Sequence, residues 1–189
     1  MKRIVILASG AGSNAANLLN YFKLRQMAEV VLIASNKPNA GVLDIAKSNG
    51  IPTYLITHKN FTETDEFINY VNALHVDLIV LAGFLWKVPE NMVKRFPSQI
   101  INIHPALLPK YGGKGMYGHH VHEAVYEAGE KESGITIHWV NERYDEGAII
   151  AQYAVSLELG DMPSDIEHKV RALEIQWFPR VIEGLLIKS

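Results

Sequence analysis

The sequence predicts an α/β protein: one domain, residues 1–189, on an open, mostly parallel, doubly wound sheet that ends in an antiparallel hairpin and a closing helix. Three observations lead there. Up to about residue 105, short β-rich apolar runs alternate with stretches of helical spacing, the signature of successive βαβ units and so of a parallel sheet covered on both faces. After Pro109 the texture changes to a glycine-rich loop, a helix, two strands about a turn and a last helix. Finally, no stretch rich in Pro, Gly or Ser divides a chain of 189 residues, which is near the roughly 150 of a single domain.

Residues 4–8 are continuously apolar, as a strand buried on both faces must be. The basic residues before them imitate a secretion signal, but Ser9-Gly10 ends the run well short of the roughly 7–15 residues of a signal core. Helical spacing follows over 14–26, then a strand rich in β-branched residues over 30–35. Helix 42–49, strand 53–57, helix 63–75 and strand 78–82 continue the alternation, and Pro89 opens a helix over 89–95 before a strand over 99–103. The longest apolar stretch, 78–86, contains Gly83 and is about half the roughly 18 residues of a membrane span. Beyond Pro109, a loop over 112–118 leads to a helix near 119–130, strands over 134–140 and 148–155 about Asp145-Glu146-Gly147, and a helix from Ser164. The chain divides into a βαβ half, about 1–105, and a second half, about 106–189.

Composition narrows the function. With 48% hydrophobic and 20% charged residues and a mean hydropathy of +0.03, the chain is neither disordered nor of low complexity. A net charge of −2 gives no bulk attraction to nucleic acid or an anionic membrane, so the expected partners are small molecules. The absence of cysteine excludes a disulfide framework, a thiolate-bound metal and a cysteine nucleophile, and fits a reducing cytoplasm.

Four motifs carry possible chemistry. Ser9-Gly10-Ala11-Gly12-Ser13-Asn14 joins a strand to a helix, where glycines admit close backbone approach and free N–H groups favour an anion. Gly10, Gly12 and Ala15 satisfy a relaxed dinucleotide pattern, but the second strand ends in Ser35-Asn36-Lys37 without the acid that holds a ribose, which favours a mononucleotide or sugar phosphate over a nicotinamide cofactor. A tight turn with Asn14 starting the helix is the plainer alternative. In Asn102-Ile103-His104-Pro105, residues i and i+2 share a strand face, so an amide donor and a titratable imidazole project together at a strand end, suited to a reaction that forms an oxyanion and moves a proton. A polar strand end with a satisfied histidine is the alternative. Asp145 alone reads as turn chemistry. His119-His120-x-His122 invites zinc, but no suitably spaced carboxylate completes a familiar site; a substrate-contacting or solvated cluster is preferred, with His119 and His122 on one helix face and His120 on another.

In combination, Ser9-Gly10-Ala11-Gly12-Ser13-Asn14, Ala82-Gly83-Phe84, Asn102-Ile103-His104-Pro105-Ala106-Leu107-Leu108-Pro109 and Asp145-Glu146-Gly147 resemble, in order and over nearly the whole chain, the folate-dependent formyltransferase family, in its phosphoribosylglycinamide formyltransferase branch. The resemblance implies transfer of the formyl group of 10-formyltetrahydrofolate to the amine of glycinamide ribonucleotide in purine synthesis, through a tetrahedral intermediate and with no metal. It implies that Asn102 and His104 stabilise the oxyanion, with Asp145 orienting His104 and a proton-carrying water and favouring the imidazolium form. It implies that Gly10, Ala11, Gly12, Ser13 and Asn14 cradle the phosphoribosyl group, that Glu174 holds the ribonucleotide, and that His122 lies near the site. Leu85, Trp86, Lys87, Val88, Asn141 and Asp145 are the implied folate contacts, and 106–189 the folate-binding half. Two departures stand out. Trp86 occupies the place of a basic residue in many relatives, so stacking can replace hydrogen bonding there. The segment before Glu63 is shorter than in relatives that bring an arginine to the phosphate, which leaves Lys59 as the candidate substitute. Relatives acting on methionyl-tRNA, on sugar nucleotides or as formyl-folate hydrolases share Asn102, His104 and Asp145 but carry an extra domain, for which 189 residues leave no room. A non-catalytic nucleotide-binding module would need only the glycine loop.

Overall fold

In the computed structural model, which describes residues 1–188, strand β1 (Lys2–Leu7) is interior because it is apolar on both faces: Ile4 and Ile6 enter one hydrophobic cluster, Val5 and Leu7 the other. Strand side chains alternate between faces, and burying each of these four contributes roughly 1.5–3 kcal/mol. The remaining elements are α1 (Ser13–Arg25), β2 (Ala28–Ser35), α2 (Gly41–Ser48), β3 (Thr53–Leu55), α3 (Glu66–Ala73), β4 (Leu78–Leu81), α4 (Glu90–Arg95), β5 (Ile100–His104), α5 (His119–Glu127), β6 (Glu132–Trp139), β7 (Ile149–Ser156) and α6 (Pro163–Lys188).

One seven-stranded sheet runs β3-β2-β1-β4-β5-β6-β7. β3 through β5 are mutually parallel, whereas β6 is antiparallel to β5 and β7 to β6. The doubly wound sheet with its C-terminal hairpin and closing helix therefore stands as the sequence predicts. β1 pairs with β2 on one side and β4 on the other, so the loops after β1 and β4 leave in different directions and open a crevice at their carboxyl ends, where sheets of this kind bind ligands.

The largest local difference lies between β3 and α3. A strand over 53–57 and a helix from 63 are predicted, but β3 stops at Leu55, a π-helical turn spans Lys59–Glu63, and α3 starts at Glu66. The cause is local side-chain competition for backbone groups. Asn60 Oδ1 accepts the Thr57 N–H at 2.8 Å, its Nδ2 donates to the Leu55 carbonyl at 3.2 Å, and the Thr62 hydroxyl donates to the His58 carbonyl at 2.7 Å.

Helix α6 closes the fold with a stripe at every fourth residue: Ile166, Val170, Phe178, Ile182 and Leu186 join the cluster that holds Leu18 and Phe22 of α1. Position 174, on the same stripe, is a glutamate.

Candidate active site

Ser9 ties together the loops that rim the crevice. Its N–H donates to the Gly83 carbonyl at 3.0 Å, its hydroxyl donates to Asn36 Oδ1 at 2.6 Å, and its Oγ accepts the Leu85 N–H at 2.9 Å. Ser35 Oγ accepts the Lys37 N–H at 3.1 Å. The residues standing where a dinucleotide site would place its ribose acid thus brace the loops.

Gly12 precedes α1 with φ +84°, in the left-handed region that glycine enters without strain. The helix has no side-chain cap and no acid in its first turn, so its first N–H groups remain available to an anion. The plainer reading of Asn14 as a helix starter does not hold. Its Nδ2 instead donates to Glu174 Oε2 at 2.9 Å, joining the glycine loop to α6. Burial raises the Glu174 carboxyl above the ordinary range, with the Asn14 hydrogen bond opposing.

One cleft of about 710 Å³ is lined by Gly10 through Asn14, Leu85 through Val88, Asn102, His104, His122, Asn141, Asp145 and Glu174, whereas His119 and His120 lie outside it. Lys59 does not line it. Lys37 does, and Lys37 also lines a side cavity of about 490 Å³ along Gly10 and Ala11.

Asn102 and His104 meet Asp145 in this cleft. His104 Nδ1 lies 3.7 Å from Asp145 Oδ2, and Asn102 Nδ2 lies 3.4 Å from Asp145 Oδ1. Asp145 takes φ +55°, a left-handed conformation that aspartate tolerates better than most residues, and its Oδ2 accepts the Gly113 N–H at 2.9 Å. The chain passes so close there that a Cβ on Gly112 would stand 2.5 Å from Leu108 Cδ2 and 3.3 Å from the Asp145 Cβ. Burial alone would raise the Asp145 carboxyl, but the neighbouring rings of His138 and His104 and the Gly113 N–H outweigh it and hold the group below its usual range.

The charge of Asp145 favours the imidazolium form of His104, as the resemblance implies, but it is not the larger influence. Burial dominates instead: it lowers the His104 pKa, and Asp145 and the Tyr111 carbonyl only partly offset it. His104 Nε2 donates to the Tyr111 carbonyl at 2.7 Å, leaving Nδ1 as the edge that faces Asp145. Burial thus favours the uncharged ring beside the carboxylate.

His138 went unseen in the sequence. β5 and β6 pair Asn102 with His138 and His104 with Thr136, so two polar residues of β6 mirror the Asn-x-His pair. His138 Nε2 is 3.1 Å from Asn102 Nδ2 and 3.6 Å from Asp145 Oδ1. Thr136 Oγ1 donates to the Ala106 carbonyl at 2.7 Å and accepts the Leu108 N–H at 3.0 Å, anchoring the chain that follows His104. The readable signal was the alternation Ile135-Thr136-Ile137-His138, which puts polar groups on one face of a buried strand.

The three histidines at the start of α5 separate differently from the helical-wheel expectation. His119 and His120 both reach Glu123, at 3.0 and 3.4 Å, on the exposed surface, while His122 turns inward and is 3% exposed. Among the described residues His122 Nδ1 has no hydrogen-bond partner, and burial lowers its pKa against the opposing charge of Glu167. Among the described residues, no three His, Asp or Glu side chains converge on a point a metal ion could occupy. No described helix is long and apolar enough to cross a membrane.

With this geometry in place, the comparisons are specific. Residues 2–182 match the family model for formyl transferases. The chain is 38% identical over 97% of its length to phosphoribosylglycinamide formyltransferase of Haemophilus influenzae, covering 86% of that protein, and 38% identical over 97% to the chloroplastic phosphoribosylglycinamide formyltransferase of Arabidopsis thaliana. It spans 65% of the Arabidopsis relative and 14% of the trifunctional purine biosynthetic protein of Drosophila melanogaster. The crystal structure of phosphoribosylglycinamide formyltransferase from Coxiella burnetii superposes with a TM-score of 0.90 at 33% identity, over 99% of this chain and 88% of that one. The chain belongs to the formyl transferase family.

Proposed function

We propose that the protein transfers the formyl group of 10-formyltetrahydrofolate to the amine of glycinamide ribonucleotide, a step of de novo purine synthesis, in the cytoplasm. The observation that carries this reading is the convergence of an amide donor, a buried imidazole and a carboxylate, Asn102, His104 and Asp145, in the same cleft as an uncapped helix start and a half-buried acid, Glu174. Oxyanion stabilisation, proton transfer and anion binding are what amine formylation on a phosphorylated acceptor requires.

In this reading the phosphoribosyl group sits against Gly10 through Asn14, with Lys37 as a nearby countercharge, and Glu174 holds the ribonucleotide. The folate lies along Leu85 through Val88 and Asn141. The apolar side chains of Leu85, Trp86 and Val88 suit an aromatic ligand, and about 710 Å³ falls in the size range of small-molecule sites. The glycinamide nitrogen attacks the formyl carbon, forming a C–N bond while the carbonyl electron pair moves to oxygen. Asn102 donates an N–H to that oxyanion. As the growing negative charge favours the imidazolium beside Asp145, His104 takes up a proton from solvent, adds its stabilisation, and returns that proton when the C=O reforms. The amine proton passes by a water held at Asp145 to the folate N10, the bond from N10 to the formyl carbon breaks, and the C=O reforms. The folate leaves without its formyl group.

The acceptor test uses formyl folate with either glycinamide ribonucleotide or methionyl-tRNA, following folate absorbance. Turnover with the ribonucleotide alone is expected. Turnover with the tRNA alone would overturn the acceptor assignment while keeping the chemistry at Asn102, His104 and Asp145.

A further inference from the structure

His138 is 2% exposed and sits where the β6 and β7 register shifts between Ile137 and His138, the kind of irregularity that re-aims a side chain. Its ring is held at both nitrogens. Nδ1 lies 2.9 Å from the Trp139 carbonyl. A carbonyl can only accept, so Nδ1 carries a proton, and in the neutral ring Nε2 presents a lone pair. That lone pair meets Asn102 Nδ2 at 3.1 Å.

The Trp139 carbonyl is itself fixed by close packing: a Cβ on Gly147 would overlap it and would come within 3.4 Å of His138 Nδ1. The last residue of Asp145-Glu146-Gly147 is therefore a glycine for a reason beyond turn geometry. Any side chain there would displace the acceptor that sets the His138 tautomer.

An asparagine amide has a donor end and an acceptor end of nearly the same shape, and only one orientation can stabilise an oxyanion. Turned the wrong way, Asn102 would place its carbonyl oxygen beside the Nε2 lone pair and aim acceptor against acceptor. With the observed orientation, one N–H is taken by Nε2, and the other makes only the long 3.4 Å contact to Asp145 Oδ1, weak enough to be exchanged for a developing oxyanion.

We propose that His138 is a positioning residue for formyl transfer: it accepts one N–H of Asn102, so fixing the amide with its nitrogen toward the reacting carbonyl and keeping the second N–H for the oxyanion. The role rests on the reading under Proposed function. It adds a fourth residue, which acts through Asn102.

Two measurements test it. Nitrogen-15 spectra of the imidazole rings in the free wild-type protein at neutral pH should show His138 protonated at Nδ1 and bare at Nε2. Protonation at Nε2 would overturn the proposal without any variant. In kinetics, His138→Met should lower kcat at least about tenfold, a fraction of the roughly 10²–10³ carried by a whole oxyanion donor, with both KM values within about twofold. His138→Gln, whose carbonyl can accept the same N–H, should recover part of the loss. In an Asn102→Ala background, His138→Met should cost nothing further, because the group it positions is gone. An equal loss in both backgrounds, or a folded His138→Met with near-normal kcat, would overturn the role. A wild-type protein with no formyl transfer to glycinamide ribonucleotide would instead overturn the functional reading, and the role with it.

Discussion

Asn14 Nδ2 donates to Glu174 Oε2 across 2.9 Å, although 160 positions separate the two residues. This one hydrogen bond joins the glycine-rich start of α1 to the apolar stripe of α6. Glu174 replaces an apolar residue at a position its helix turns inward, and an isolated buried carboxylate is costly. Glu174 is half-buried, lines the cleft and takes one hydrogen bond from the Asn14 amide.

Asn102→Ala, His104→Ala and Asp145→Ala should each lower kcat far more than they weaken substrate binding. The loss for one oxyanion donor is typically about 10²–10³. Steady-state kinetics on folded variants check this, and near-normal turnover removes a residue from the mechanism.

The two glycines of the loop after β1 should behave differently. A Cβ on Gly10 meets nothing within 4 Å, whereas one on Gly12 comes within 2.8 Å of the Val42 backbone and would sit at φ +84°. Gly10→Val should keep the fold, intrude on the anion site and weaken ribonucleotide binding about tenfold or more while sparing folate. Gly12→Val should lose roughly 1–3 kcal/mol of stability through overpacking and backbone strain. Chemical unfolding paired with ligand titration separates the two effects.

Lys37→Met should raise the KM for the ribonucleotide a few-fold, an effect that shrinks as salt rises. Lys37 lines the cleft and Lys59 does not, so Lys59→Met should leave KM unchanged. The opposite pattern would put the countercharge on the turn before α3.

Stability should fall as pH drops from 7 to 5. Burial lowers the folded-state pKa of His104 and of His122, so the unfolded chain binds protons first. The stability these rings contribute is complete above their ordinary value of about 6.5 and is lost as pH falls from there toward the folded pKa. Glu174, raised by burial, acts in the opposite sense: its contribution is present at low pH and is lost as pH rises from the unfolded glutamate value to the folded one. Thermal melts of wild type and His122→Gln isolate one ring, and the variant should show the shallower decline. A steeper decline would contradict the buried, neutral assignment of His122.

Much of this was legible in the sequence, for identifiable reasons. Strands such as β1 end within one or two residues of expectation, because a run apolar on both faces has one use in a βαβ array. Asn102 and His104 share a side because the strand period is two. Asp145 was not legible by itself: its place beside His104 depends on the antiparallel pairing of β5 with β6 and on a left-handed backbone, and only the resemblance pointed to it. His138 stayed hidden because its partner lies across the sheet, not along the chain. The influence of Asp145 on His104 is visible in the motif, whereas the opposing influence of burial is not. Glu174 could have been found without any resemblance, as the single acid on a stripe of Ile166, Val170, Phe178, Ile182 and Leu186.

The most direct test of the central claim is a single-turnover reaction of the protein with 10-formyltetrahydrofolate labelled with carbon-13 in its formyl group and with glycinamide ribonucleotide, the products being identified by mass spectrometry. The label is expected on the glycinamide nitrogen of the ribonucleotide. Label recovered as free formate, or left on the folate, would contradict it.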